Sequence, residues 1–295
     1  MKHRNTITII VVLIVVFAAA ATLCGIFSSG GPGRYEYESI RGRTVVIYGE
    51  GIYKDMSADV AVQGIAQDYV TLIVGIPLLL VAFNFARKNS LRGQFLLSGV
   101  LGYFLVTYLF YTAMGMYNAL FLVYVFLLAA TFFAFVLSLF SFDISMVQQI
   151  FESSKAVRAA GFFLMLDAVA VGVLWLGVVV PPLLEGTIVP DQAQHYTTLI
   201  VQGFDLGLLL PISFVVGMLA IRRNPYGYLF TTIYVVFLSL MMAALVSKIL
   251  FMAREGQNVL PVIFIMPSIC AISILFSFLL LRQAEAPAVQ ESMQR

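Results

Sequence analysis

The sequence predicts an all-α integral membrane protein of about eight transmembrane helices, built as two parallel-oriented four-helix repeats under a small extracytoplasmic hairpin cap. Three observations predict it. Of 295 residues, 61% are apolar and only 11% are charged, whereas a soluble domain carries about 25% charged residues. So little charge cannot cover a water-facing surface, and the mean hydropathy of +0.98 agrees. Eight apolar stretches are each near the roughly 20 residues that a helix needs to cross a bilayer core. Finally, polar residues, glycines and prolines recur in the same order in the two halves.

The expected spans are 6–27, 69–85, 94–114, 119–141, 160–181, 204–221, 226–249 and 259–281. Backbone groups in lipid must bond within the protein, so these runs read as helices. The period-two alternation of an outer-membrane barrel is absent. Lys2, Arg4 and the alanine run 18–21 resemble a secretory signal. The apolar run 7–23 is longer than a signal core, and Leu23 before Cys24 is not the small residue of a lipoprotein site. The first segment is therefore expected to stay as an anchor.

Orientation follows from Lys and Arg, which favour the cytoplasmic side in short loops. With the amino terminus inside, most of the 17 basic residues lie on the inner face, including Arg87, Lys88, Arg92, Arg222 and Arg223. Lys248 and Arg254 are assigned to the outer face. Both termini are expected in the cytoplasm, and the membrane is expected to be the plasma or inner membrane of the cell.

The outer loop 28–67 is the longest water-exposed stretch. Residues 43–48 read as a strand, Gly49-Glu50-Gly51 as a turn and Ile52-Tyr53 as a returning strand. Residues 59–67 read as a lead-in helix. This loop and the first four spans make a unit of residues 1–141. The stretch 142–159 places Ile144, Val147, Ile150 and Phe151 near one helical face, the pattern of an amphipathic helix in the headgroup layer. The second repeat is 160–281, and 282–295 is expected to be a disordered cytoplasmic tail.

The duplication rests on ordered matches. Val62-Gln63-Gly64 and Asp68 precede span 2, and Val201-Gln202-Gly203 with Asp205 opens span 6. The offsets are 201 − 62 = 139 and 205 − 68 = 137. Pro77 and Pro211 follow, then the basic pairs at 87–88 and 222–223. Asn118 and Asn258 open spans 4 and 8, with 258 − 118 = 140. The two halves would be related by an axis near the membrane normal, as in parallel-repeat transporters.

Residues 48–53, 64–77, 87–93 and 118–122, with Asp205-Leu206-Gly207, Pro211 and 222–228, carry a further likeness. On these motifs most of the chain resembles a family of bacterial multi-pass membrane proteins to which no activity is attached. The resemblance implies a membrane location and supplies no catalytic residues.

Catalytic signatures are missing. His3 and His195 are the only histidines, and no Gly-x-Ser-x-Gly elbow or phosphate loop is found. Cys24 and Cys270 differ in expected depth, so no bridge or cysteine metal site is implied. No enzyme activity, cofactor or metal is expected. The basic residues are spread along one membrane face, which disfavours nucleic acid. The expected partners are the lipid bilayer and a small solute or cation, and no protein partner is indicated.

The candidate polar sites are Asp68, Asp205, Asp167, Gln63, Gln202, Asn118 and Asn258. Asp68 and Asp205 read as helix N-terminal caps, or as a carboxylate pair facing an outer vestibule. The Gln and Asn pairs would add polar groups at similar depth or pin loops to helix ends. Asp167 is the acidic residue well inside an expected span, so pairing or a transport role is the default. Pro77 and Pro211 are candidate kinks. Tyr103, Thr107 and Tyr111 form a polar stripe that either cements helices or lines a solute path. Ser98 with Gly102, Ala168 with Gly172, and Gly203 with Gly207 suggest close helix contacts. The leading expectation is a small-solute transporter or channel-like protein. The alternative is a non-transporting scaffold, sensor or accessory subunit.

Overall fold

The computed structural model describes residues 3–260 and 262–284. Its elements are α1 (Arg4–Phe27), a hairpin of β1 (Tyr35–Glu38) and β2 (Thr44–Ile47), α2 (Ala58–Arg87), α3 (Leu91–Met114), α4 (Phe121–Leu139), α5 (Ile144–Phe151), α6 (Lys155–Leu184), α7 (Ile200–Ile221), α8 (Pro225–Arg254) and α9 (Val262–Gln283). All the helices but α5 are long and apolar enough to cross a membrane. The chain is a multi-pass membrane protein, with eight such helices among the described residues. Of the tail expected at 282–295, Arg282 and Gln283 belong to α9, and 285–295, like Lys2, lies outside the described residues.

Side chains set several helix starts. Ser90 accepts from the Gly93 amide at 3.2 Å to open α3, and Ser154 accepts from Val157 at 3.2 Å to open α6. Asn224 accepts from Tyr226 at 2.9 Å, and Pro225 in the first turn of α8 gives up an amide that needs no partner there. Asp143 caps α5 through Ser145 at 2.9 Å.

The hairpin differs from expectation. The strand at 44–47 pairs with the preceding residues 35–38 and not with 52–53, in the register Tyr35↔Ile47 to Glu38↔Thr44. Gly49 and Gly51 adopt φ of 76° and 57°, so the chain leaves the sheet and Gly51–Tyr53 forms a 3₁₀ turn. Gly42 (φ 71°) sits in the turn that closes the hairpin instead. The second helix also differs. It starts at Ala58, so the expected lead-in helix and span 2 are one continuous element.

α3 and α8 form the centre, pack on each other, and hold the largest fully buried side chains of the core, including Tyr103, Tyr108 and Tyr228. A Cβ on Gly99 would lie 2.4 Å from Val236 Cγ1, so this contact depends on glycine. α2 packs on α8, and α6 packs on α7. The α6–α7 approach uses Gly161 and Gly217, whose added Cβ atoms would fall 2.7 and 2.3 Å from each other's carbonyl oxygens. The expected small-residue contact at Gly203 and Gly207 is not formed, since nothing lies within 4 Å of a Cβ there. Helix α5 buries Val147 and Phe151, with Phe151 beside Phe95 of α3 and Tyr228 of α8. It is amphipathic as expected, and its apolar face covers the ends of the two central helices.

Local features recur at a fixed offset. Thr71–Gly75 and Asp205–Leu209 are both five-residue π turns, and 205 − 71 = 134. Pro77 and Pro211 follow at the same offset, each in the first turn after its π segment. Asn89 and Arg223 both have φ of 59°, and both donate to an alanine carbonyl, Ala86 or Ala220. A Cβ on Gly93 would lie 2.5 Å from the Ala86 nitrogen, and one on Gly227 would lie 2.3 Å from the Ala220 nitrogen. Every one of these pairs is 134 apart. Counted from the π turns, Asp205 lies opposite Thr71, and Asp68 lies opposite Gln202 (68 + 134 = 202). The expected match of Asp68 with Asp205 is therefore off by one helical turn.

Candidate functional site

Thr71 shares a face of α2 with Gln67 and Asp68, because residues three and four apart lie on the same helical side. Tyr103, Thr107 and Tyr111 fall on one face of α3 for the same reason. The two faces meet. The Gln67 amide donates to the Tyr103 hydroxyl at 2.9 Å and to Thr107 Oγ1 at 3.3 Å. Thr71 and Tyr103 hydroxyls are 2.8 Å apart. The polar stripe of α3 is thus spent on helix-to-helix bonds.

Asp68 is buried at the top of this seam. Its Oδ1 accepts from the Tyr111 hydroxyl at 2.8 Å, and its Oδ2 accepts from the Tyr53 hydroxyl at 2.5 Å. Tyr124 of α4 stacks on the Tyr111 ring, with centroids 5.2 Å apart. Gly25 of α1 closes the remaining side, where a Cβ would come within 1.8 Å of Asp68 Oδ2. Tyr53 comes from the loop after the hairpin. Burial, with the Asp68 charge second, pushes its phenol well above the ordinary tyrosine value, so it stays a donor.

A second polar group lies along the α6–α7 seam. Trp175 Nε1, from the only tryptophan in the chain, donates to Asp205 Oδ2 at 2.8 Å. Ser213 Oγ donates to the Leu164 carbonyl at 3.2 Å. Asp167 lies between these two crossing bonds on α6, with 8% of its surface exposed and its Oδ1 buried with no hydrogen-bond partner. Asp205 is the charge that it feels. From α8, the Tyr234 hydroxyl donates at 2.9 Å to Leu209, at the end of the π turn that begins with Asp205.

Lys248 joins the two groups. It belongs to α8, where Ser247 donates to the Ala66 carbonyl of α2 at 3.3 Å and Phe251 packs on Tyr69. Asp205 and Asp68 are its two electrostatic partners, Asp205 the stronger. No ion-pair contact links it to either. Asp68, Lys248, Asp205 and Asp167 thus form one set, drawn from α2, α8, α7 and α6, whose members act on each other through their charges and not through direct contacts.

The capping reading of the two aspartates is corrected. The cap position of α2 is Ser57, and Asp68 lies well inside the helix; Asp205 follows α-helical residues 200–204 and opens the π turn. Asp167 is therefore not alone as an acid within a span. Lys248 lies within α8, as in the expected span 226–249, and the helix continues past it to Arg254. For Asp68 the cause is plain: Tyr53 and Tyr111 satisfy the carboxylate, so the helix carries it inside the span where a hydropathy window starts only at 69.

The remaining expected residues lie apart. Gln63 donates back along its helix to the Asp59 carbonyl at 3.2 Å, and Gln202 is half-buried one turn before Asp205. Asn118 and Asn258 each accept from the amide two residues on, Leu120 at 2.9 Å and Leu260 at 3.1 Å, and so shape the turns before α4 and α9. Tyr53, Trp175 and Lys248 were not chosen from the sequence. Tyr53 gives no local signal, but a lone Trp and a Lys at the rim of an apolar span are visible there.

Above the set, the hairpin loop is tied to the second half. Arg41 donates to the Gln194, Tyr196 and Thr197 carbonyls at 3.2, 2.8 and 3.2 Å. Arg43 pairs with Asp191, and Arg34 with Glu255 at 2.6 Å. A cleft of about 450 Å³ lies here between Arg43, Val45, Asp59, Asp191 and Gln194. Nearer Asp68, a cavity of about 10 Å³ is lined by Tyr111, Tyr124 and the turn 115–118. Among the described residues no group of three or more His, Cys, Asp or Glu could hold a metal ion. No protein family, curated protein or solved structure matches the chain.

Proposed function

We propose that the chain is a transporter or channel-like protein for a small solute, with no enzymatic activity, and that Asp68, Lys248, Asp205 and Asp167 are the groups that solute or a cation meets. One observation carries this reading: four ionisable side chains, Asp68, Asp167, Asp205 and Lys248, lie within the membrane-crossing helices. A charge at bilayer depth costs several kcal/mol and faces a bundle interior or a water path. Apolar residues in place of buried charges are often neutral or stabilising, so structure alone does not call for them. The two π turns support the reading, because such turns are frequent at functional sites. We infer that they descend from one duplicated four-helix unit, with the halves working against each other across α3 and α8. We place both termini in the cytoplasm of a cell-membrane protein, with lipid and a small solute as partners.

The test is release from liposomes containing the full chain and loaded with a panel of small neutral, anionic and cationic solutes. Release of at least one solute beyond protein-free liposomes, reduced by Asp68→Asn or Asp205→Asn, is expected. No release across the panel favours the rival scaffold or sensor. That rival has its own support, because the polar stripe on α3 is consumed by bonds to α2.

A further inference from the structure

Resting on that reading, we propose that Asp167 and Asp205 are a proton-binding carboxylate pair that couples to Lys248 and Asp68. The argument begins with charge. The set holds three carboxyl groups and one ammonium, so full ionisation leaves two negative charges uncompensated among apolar helices. Among the described residues, the packing around it supplies no other cation. α9 packs on α6 and carries no charged residue from Val262 to Leu281; it brings only Cys270, which bonds the Ser239 carbonyl. α3 packs on α7 and is uncharged beyond Arg92 at its far end. α8 brings Tyr234, already bonded to Leu209, and Lys248 itself; Arg254, in its last turn, is exposed. A bound cation therefore offsets one of these charges, and the donors present select the proton. Hard metal ions take six or more oxygen ligands, or keep several waters. Here Asp205 Oδ2 is held by Trp175, and the Leu209 carbonyl is held by Tyr234. Asp167 Oδ1 is the buried oxygen left without a partner.

A proton on either carboxyl supplies a donor and removes one negative charge. Its departure to water restores that charge beside Asp205, the stronger partner of Lys248. The ammonium is then drawn from Asp68 toward Asp205, so the proton state of the α6–α7 seam reaches the α2–α3 seam. The step moves one proton between carboxylate and water, with no change of oxidation state.

Infrared difference spectra of the full chain in lipid, taken between acidic and alkaline buffer, test this. A protonated carboxyl gives a carbonyl stretch apart from that of the carboxylate. The expected result is a titrating band that Asp167→Asn removes, Asp167→Glu retains at a shifted frequency, and Asp205→Asn displaces in pH. Sodium at fixed pH should leave it unchanged. A band untouched by both Asn variants overturns the proposal, and so does suppression by sodium, which would make the site a metal-cation site. Each variant is first checked for native helicity. If the Asn variants do not fold, the Glu variant and the sodium titration decide. A normal band together with no solute release would leave the proton site standing and remove the transport reading.

Discussion

The Tyr53 hydroxyl donates to Asp68 Oδ2 at 2.5 Å, and this contact ties the loop beneath the hairpin to a carboxylate inside α2. Hydrogen bonds to charged groups contribute about 1.5–3 kcal/mol, and neutral ones about 1. Tyr53→Phe should therefore lower stability by about 1–3 kcal/mol in thermal unfolding. The pH dependence has a definite sign. The phenol is raised in the folded state, so its stabilisation is complete below the ordinary tyrosine value of about 10 and fades as pH rises beyond it. Tyr53→Phe should flatten that alkaline loss, and an unchanged alkaline limb would count against the contact.

Gly25→Ala should be among the more damaging small substitutions. Its Cβ would meet Asp68 Oδ2 at 1.8 Å and the Tyr53 hydroxyl at 3.1 Å. Overpacking of this kind costs about 1–3 kcal/mol. Gly177→Ala in α6 meets nothing within 4 Å and is the control, expected to be neutral or mildly stabilising. Equal behaviour of the two in a melting experiment would contradict the packing of α1 on α2.

Gly93→Ala and Gly227→Ala should fail alike. Each Cβ would strike backbone of the preceding helix, at Ala86 or Ala220. The yield of folded protein should fall for both. Tolerance at one site and collapse at the other would show that the two turns are not equivalent.

Lys248→Met should cost on the order of 2 kcal/mol, less than the 3–5 for breaking a buried contact pair, because no direct ion pair is made. The loss should shrink when Asp205→Asn is added. An additive double-mutant cycle would mean that the two groups are not coupled.

The sequence by itself determined the membrane class, the count of eight helices and the amphipathic α5. Those follow from apolar run length and period, which lipid enforces locally on every residue. It also exposed Asp167, because one carboxylate inside a long apolar run has no benign explanation nearby. Tertiary structure alone decided the set around it. Asp68 read as a cap because its partners Tyr53 and Tyr111 are 15 and 43 residues away, and no local window holds them. Lys248 read as a charge at the outer end of its span because the carboxylates whose charges act on it, Asp205 and Asp68, belong to helices far away in sequence. The strand partner of 44–47 and the one-turn shift between Asp68 and Asp205 have a related cause. Positive-φ glycines and π turns change direction and register without changing hydropathy, so the chain had to be folded before either could be read.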